Sequence, residues 1–273
     1  MSDAPLNVLV VDDTITYRRI LTEALEATGE SIRSTTAPHG RLALNRLEQE
    51  PADLVLLDLE MPEMDGLETL AHLRKHFPET AVVMISGRAD RAADATVLAL
   101  ERGALDFIRK PEGPDPEGSR AELRDTLRPI LRHVRMRKNL RTGTVAESVQ
   151  LRARPEPLPS KPPARLSAPP VPVQAVGLGI STGGPNALNE VIPALPADFP
   201  VPILLVQHMP PGFTASLAEH LDKRSRVRVR EAEEGTCLEG GTVYIAPGGR
   251  HLVVRKRPST GNSKEAFIVG LND

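Results

Sequence analysis

The fold class predicted by this sequence is α/β throughout: a doubly wound parallel five-stranded domain and a second α/β parallel-sheet domain, joined by a proline-rich linker. Three observations predict it. From Asn7 to Arg137 short apolar runs alternate with longer amphipathic ones, the signature of strands alternating with helices. Between Arg152 and Val173 there are eight prolines and four basic residues but almost no apolar periodicity. Beyond it, apolar runs of strand length return at Ala175–Ile180 and Val201–His208, and the second reads as a buried parallel strand.

Length and composition agree with two domains and exclude several classes of function. A chain of 273 residues can bury two separate cores. A formal net charge of −2 with interspersed signs does not mark a nucleic-acid binder, and the absence of tryptophan argues against a base-stacking platform. Cys237 is the single cysteine, which excludes an intrachain disulfide framework and fits a reducing compartment. Met1–Val11 lacks the features of a signal peptide and no run is long enough for membrane insertion, so the expected location is cytoplasmic.

In the first domain, strands are expected at 7–11, 32–37, 54–57, 81–85 and 107–108, and helices at 15–26, 40–48, 67–75, 92–102 and 121–137. Right-handed crossovers make the doubly wound sheet the economical topology. Polar residues stand where strands end: Asp12 and Asp13, Asp58, Ser86, and Lys110. Three carboxylates at one sheet edge repel one another unless a cation lies among them, and oxygen ligation with room for water suits Mg²⁺. Lys110 can neutralise a transferred phosphoryl group and the Ser86 hydroxyl can donate to it. The alternative is that these aspartates cap helices or line a solvated loop.

With Met61-Pro62, Asp65-Gly66, Gly103-Ala104-Leu105-Asp106-Phe107 and Lys110-Pro111, this stretch resembles the receiver domain of two-component response regulators. The resemblance implies that Asp58 accepts phosphate from a histidine kinase, and that Asp13, Asp58 and the Glu60 carbonyl hold Mg²⁺, with Asp12 supporting the metal through water. It implies that Ser86 and Phe107 form a switch pair. Phe107 reads equally as plain core packing.

The domains expected are 5–138, a tether over 139–173 that is extended because it cannot pack a core, and 174–273. In the last, Gly179-Ile180-Ser181-Thr182-Gly183-Gly184 lies between a strand and a stretch able to start a helix. Glycines flanking a serine let the backbone bend sharply and present the hydroxyl, and the helix start adds N–H donors for an oxyanion. The same spacing occurs in glycine-rich turns and phosphate-binding loops. His208 ends the next strand, at the edge where catalytic groups of open sheets gather, though a histidine there can also be structural. Further strands are expected at 227–230, 242–246, 251–255 and 266–271, and a helix at 214–223, with His251 a strand residue and not a second base.

Gly179–Gly184, Gln207-His208-Met209-Pro210-Pro211-Gly212-Phe213, Glu231-Ala232 and Tyr244-Ile245-Ala246-Pro247-Gly248 resemble the methylesterase domain of bacterial chemotaxis response regulators. The resemblance implies a serine hydrolase with Ser181 as nucleophile, His208 as base and Thr182 positioning the oxyanion, needing no cofactor in the esterase half. Its substrates would be methyl esters on receptor glutamates, and receptor glutamines for deamidation, with an unphosphorylated receiver covering the cleft. The orienting aspartate lies in a later glycine-rich motif in that family. The third catalytic residue is therefore expected beyond residue 273, the chain is expected to be incomplete at its C-terminus, and its own turnover to be hard to detect. Asp198, Asp222 and Asp273 do not sit in a matching context, and with a strand over 266–271 so near the end a sheet is expected to be left short of partners. A phospho-signalling module with an inactive second half and a general serine hydrolase are the alternatives.

Overall fold

The structure, a computed structural model, describes residues 4–87, 89–111, 115–141, 173–257 and 266–273. The first half alternates β1 (Leu6–Val11), α1 (Ile15–Glu26), β2 (Ile32–Ala37), α2 (Gly40–Gln49), β3 (Leu54–Asp58), α3 (Gly66–His76), β4 (Ala81–Ser86), α4 (Ala89–Glu101), β5 (Asp106–Arg109) and α5 (Pro116–Arg141). Its five strands are parallel in the order β2-β1-β3-β4-β5. The order reverses beside β1, which opens a crevice at the carboxyl ends of β1 and β3. Val11 pairs with Leu57, so Asp12 and Asp58 leave that edge as neighbours.

Alternation along the buried strands sends Leu6, Val8 and Val10 to one layer with α1 and α5, and Leu9 and Val11 to the other with α2, α3 and α4. Helix starts are fixed locally. Asp65 Oδ1 accepts from the Glu68 amide at 2.8 Å, and Arg74, Lys75 and His76 close α3 at its negative dipole end. Gly66 must be glycine, because a Cβ there would lie 2.3 Å from the Asp58 carbonyl oxygen.

α5 is longer at both ends than the expected 121–137. Asp115-Pro116 supplies the start, with Asp115 Oδ1 accepting from the Glu117 amide at 3.0 Å and proline where a missing N–H costs nothing. The far end is polar and is held by ion pairs, Lys138 to Asp53 at 2.7 Å and Arg141 to Glu79 at 3.0 Å. The helix continues through Pro129 because Leu123, Leu127, Ile130, Leu131 and Val134 form one buried stripe. Residues 139–141, expected to begin the linker, are the last turn of α5. The rest of that linker up to residue 172 lies outside the described residues.

The second half holds β6 (Val176–Ile180), α6 (Gly184–Val191), β7 (Ile203–Gln207), α7 (Phe213–Arg224), β8 (Arg228–Glu231), β9 (Thr242–Ile245), β10 (His251–Lys256) and β11 (Phe267–Asn272). Four strands form a parallel sheet in the order β6-β7-β9-β8. The last strand, β11, pairs antiparallel with β10 along its whole length, in a two-stranded sheet of their own. β7 departs from the fully buried strand expected of it. Ile203, Leu205 and Gln207 are buried, whereas Val206 on the other face is 49% exposed, and Gly177 and Gly179 of β6 are exposed as well.

The apolar layer under α4 continues into the second half. Val97, Leu100 and Phe107 join Phe213, Leu217, Ala218 and Leu221 of α7 in one buried cluster. Polar contacts rim it: Asn186 Nδ2 donates to the Ala104 carbonyl at 2.8 Å, and Glu101 meets Arg224 at 2.5 Å and His220 at 3.3 Å.

Candidate active site and phosphoacceptor site

At the carboxyl edge of the first sheet, carboxylate oxygens of Asp12, Asp13 and Asp58 lie within 4.8 Å of one another. Asp12 and Asp58 are buried and Asp13 is exposed. Lys110 Nζ sits 2.8 Å from Asp12 Oδ2 and 2.9 Å from Asp58 Oδ2, and 4.6 Å over the Tyr17 ring, a partner with no signature in the sequence. Burial pushes the Asp58 carboxyl up to about 6; Lys110 works against the rise, and Asp12 and Asp13 add to it. For Lys110, burial disfavours the ammonium, but Asp12 and Asp58 outweigh it and hold its pKa above the ordinary lysine value. Ser86 Oγ is buried without a hydrogen-bond partner among the described residues.

These groups fit a divalent cation and a phosphoryl group. Lys110 pairs with two of three clustered carboxylates, burial raises the Asp58 carboxyl, and the Ser86 hydroxyl has no partner among the described residues. A cavity of about 430 Å³ opens beside them between Asp13, Glu60 and Met61. A larger cavity, about 710 Å³ under α2, contains none of the candidate site residues.

The second site forms where β6 and β7 end. Ile180 pairs with Gln207 and the His208 amide donates to the Ile180 carbonyl at 3.3 Å, so Ser181 and His208 leave the sheet side by side. Both are exposed, and α6 starts three residues after Ser181. The Gly184 amide already donates to the Ser181 carbonyl at 2.7 Å, which tightens the turn. Ser181, Thr182 and His208 form one wall of a cleft of about 690 Å³, and Asp106, Phe107 and Pro129 of the first half form part of the opposite wall.

Phe107 is 7% exposed and its ring stacks on Phe213 at 4.6 Å between centroids and 26° between planes. It packs in the buried cluster that the two halves share. Asp106 beside it is half-buried, and the loss of solvent pushes its carboxyl up to about 6 against hydrogen bonds from the Phe107 amide and the Thr182 hydroxyl and the charge of His208. Neither Asp222 nor Asp273 turns toward His208: the first accepts from the Val229 amide at 2.7 Å, the second pairs with Arg250 at 3.3 Å. Asp198 and His251 are exposed. Sequence reasoning missed Asp106 and Gln207. The signal for Gln207 was a lone amide closing an apolar strand; none existed for Asp106.

A protein-glutamate methylesterase/protein-glutamine glutaminase of Treponema denticola is 40% identical over 265 residues, covering 92% of this chain and 71% of the relative. The chain belongs to this methylesterase family. A protein of the same name from Desulfotalea psychrophila is 40% identical over 271 residues, covering 98% of this chain and 73% of its own. The family model for the response regulator receiver domain matches residues 8–117, and that for CheB methylesterase matches 176–269. Among solved structures, the catalytic domain of Thermotoga maritima CheB methylesterase is 46% identical over 38% of this chain and 52% of that one, with a TM-score of 0.33. A methylesterase of this family thus combines a receiver sheet with the Ser181–His208 edge. No helix among the described residues is long and apolar enough to cross a membrane.

Proposed function

We propose that this chain hydrolyses methyl esters on the glutamates of chemoreceptors, and deamidates their glutamines, with Ser181 as nucleophile and His208 as base. The observation that carries this reading is the register of β6 and β7, which brings the two side chains off one sheet edge as neighbours. Ser181 Oγ attacks the ester carbonyl while His208 takes its proton. Collapse of the tetrahedral intermediate breaks the bond to methoxide, His208 returns the proton, and methanol leaves. Water then cleaves the acyl-serine bond by the same proton path, freeing glutamate; a glutamine substrate releases ammonia in the first step. Thr182 and nearby backbone amides receive the oxyanion.

In the docked arrangement Thr182 is engaged by Asp106, and β5 and α5 of the receiver line the cleft that holds Ser181 and His208, where a substrate would have to enter. A histidine kinase serves as phosphodonor to Asp58. Mg²⁺ held by Asp13, Asp58 and the Glu60 carbonyl, with Asp12 behind it, would supply positive charge to the phosphoryl oxygens. Lys110 and Ser86 bind those oxygens too, and Ser86, drawn toward them, leaves space into which Phe107 turns. That motion breaks the stack on Phe213 and shifts the population toward an uncovered cleft.

The test is methanol release from methylated receptor. Ser181→Ala and His208→Ala should each remove nearly all of it, and the double variant should be no slower than either single one. Activity retained in Ser181→Ala ends the covalent mechanism. If no state of the wild-type chain releases methanol while Asp58 is phosphorylated normally, the protein is a phospho-responsive binding module.

A further inference from the structure

Gln207 closes β7 immediately before His208, and its side chain turns inward and is 4% exposed. Its Nε2 donates to the Ser181 carbonyl at 3.2 Å and to the His208 carbonyl at 3.3 Å. One amide nitrogen therefore ties together the main chains of the two residues assigned to the chemistry. Its Oε1 is buried and has no hydrogen-bond partner among the described residues. A buried acceptor without a partner lowers stability, so packing alone would favour an apolar side chain here. The backbone makes room for this amide: a Cβ on Gly184 would lie 2.0 Å from Oε1.

We propose that Gln207 is a positioning residue, its carboxamide fixing the separation of the turn that carries Ser181 from the strand end that carries His208. The proposal rests on the reading of Ser181 as nucleophile. Both bonds are near the long end of the range, so the effect lies in geometry more than in binding strength. A misplacement of about 1 Å between reacting groups can cost roughly 100-fold in rate.

The test treats the full chain with a fluorophosphonate that phosphonylates activated serines, fluoride being the leaving group, and locates the adduct by peptide mapping. Gln207→Met keeps the side-chain length and removes both donors together with the unpaired acceptor. Expected are a maximal phosphonylation rate about 10- to 100-fold lower, a half-saturating probe concentration within about twofold, and a Tm equal to or above that of wild type. Gln207→Glu keeps the shape, and only its protonated form can donate. The ratio of its rate to wild type should therefore fall as pH rises while half-saturation by the probe stays unchanged, whereas a merely structural role would weaken probe binding in step with the loss of stability that an ionised buried carboxylate brings. Equal rates in wild type and Gln207→Met would overturn the proposal, and so would a rate loss matched by a lower Tm and weaker probe binding. Failure of the nucleophile reading is visible separately: wild type would carry no adduct on Ser181, and the proposal would fall with it.

Discussion

The two sites stand on the same kind of ground, the carboxyl edge of a parallel sheet, but they are closed differently. The phosphoacceptor site is self-contained: Asp12, Asp58 and Lys110 meet within 2.9 Å in one domain, and two of the three are almost wholly buried. The esterase site is open on its own sheet, with Ser181 and His208 exposed, and takes its opposite wall from β5 and α5 of the receiver. Burial and charge within one fold define the first. Docking between two folds defines the second, so what changes the docking changes the lining of the cleft.

Removing Lys110 is the sharpest way to break the self-contained site. Lys110→Ala leaves two buried carboxylates facing each other, and disrupting a buried pair costs roughly 3–5 kcal/mol. The loss should appear in urea unfolding of the receiver and shrink at acid pH as the carboxyls are protonated.

At the shared site, pH is the handle. The Asp106 carboxyl rises from the ordinary 3.8 to about 6, so its burial favours the protonated form. A raised acid contributes stability below about pH 4 and loses it as pH rises through 6. Docking should therefore weaken over that interval, by at most about 3 kcal/mol, because part of the burial comes from the receiver itself. His208 opposes the trend where it is protonated. Asp106→Asn should flatten the dependence, read as the pH profile of hydrogen exchange in β5.

Within the second half, Gly184→Ala would displace the Gln207 amide, whose Oε1 lies where the new methyl would stand. Methanol release should fall by about 10-fold or more while receiver phosphorylation is unchanged. The smallest effect is expected at the rim. Glu101→Gln loses the contacts with Arg224 and His220, about 0.2–1 kcal/mol of docking that high salt also removes. It should speed serine labelling by no more than a few-fold.

What was legible in the sequence follows the same division. The strands of the receiver, and Asp12, Asp13, Asp58, Ser86 and Lys110 at their ends, follow from period and position, because each is placed by its own strand. Ser181 and His208 were legible for the same reason. The extent of α5 was not, because its last turns are held by Asp53 and Glu79, far away in sequence. The exposed face at Val206 was hidden because an apolar run reads as buried whether or not anything covers it. Phe107 stacked on Phe213, and Asp106 set against Thr182, depend on how two domains meet, which no local pattern encodes.

The claim that phosphate at Asp58 uncovers Ser181 is tested most directly by amide hydrogen exchange of the full chain with Mg²⁺ and a small acyl phosphate. Faster exchange is expected together in Asp106–Arg109 and in Gly184–Val191, in wild type and not in Asp58→Asn. Stoichiometric phosphorylation with unchanged protection in both segments would contradict the account.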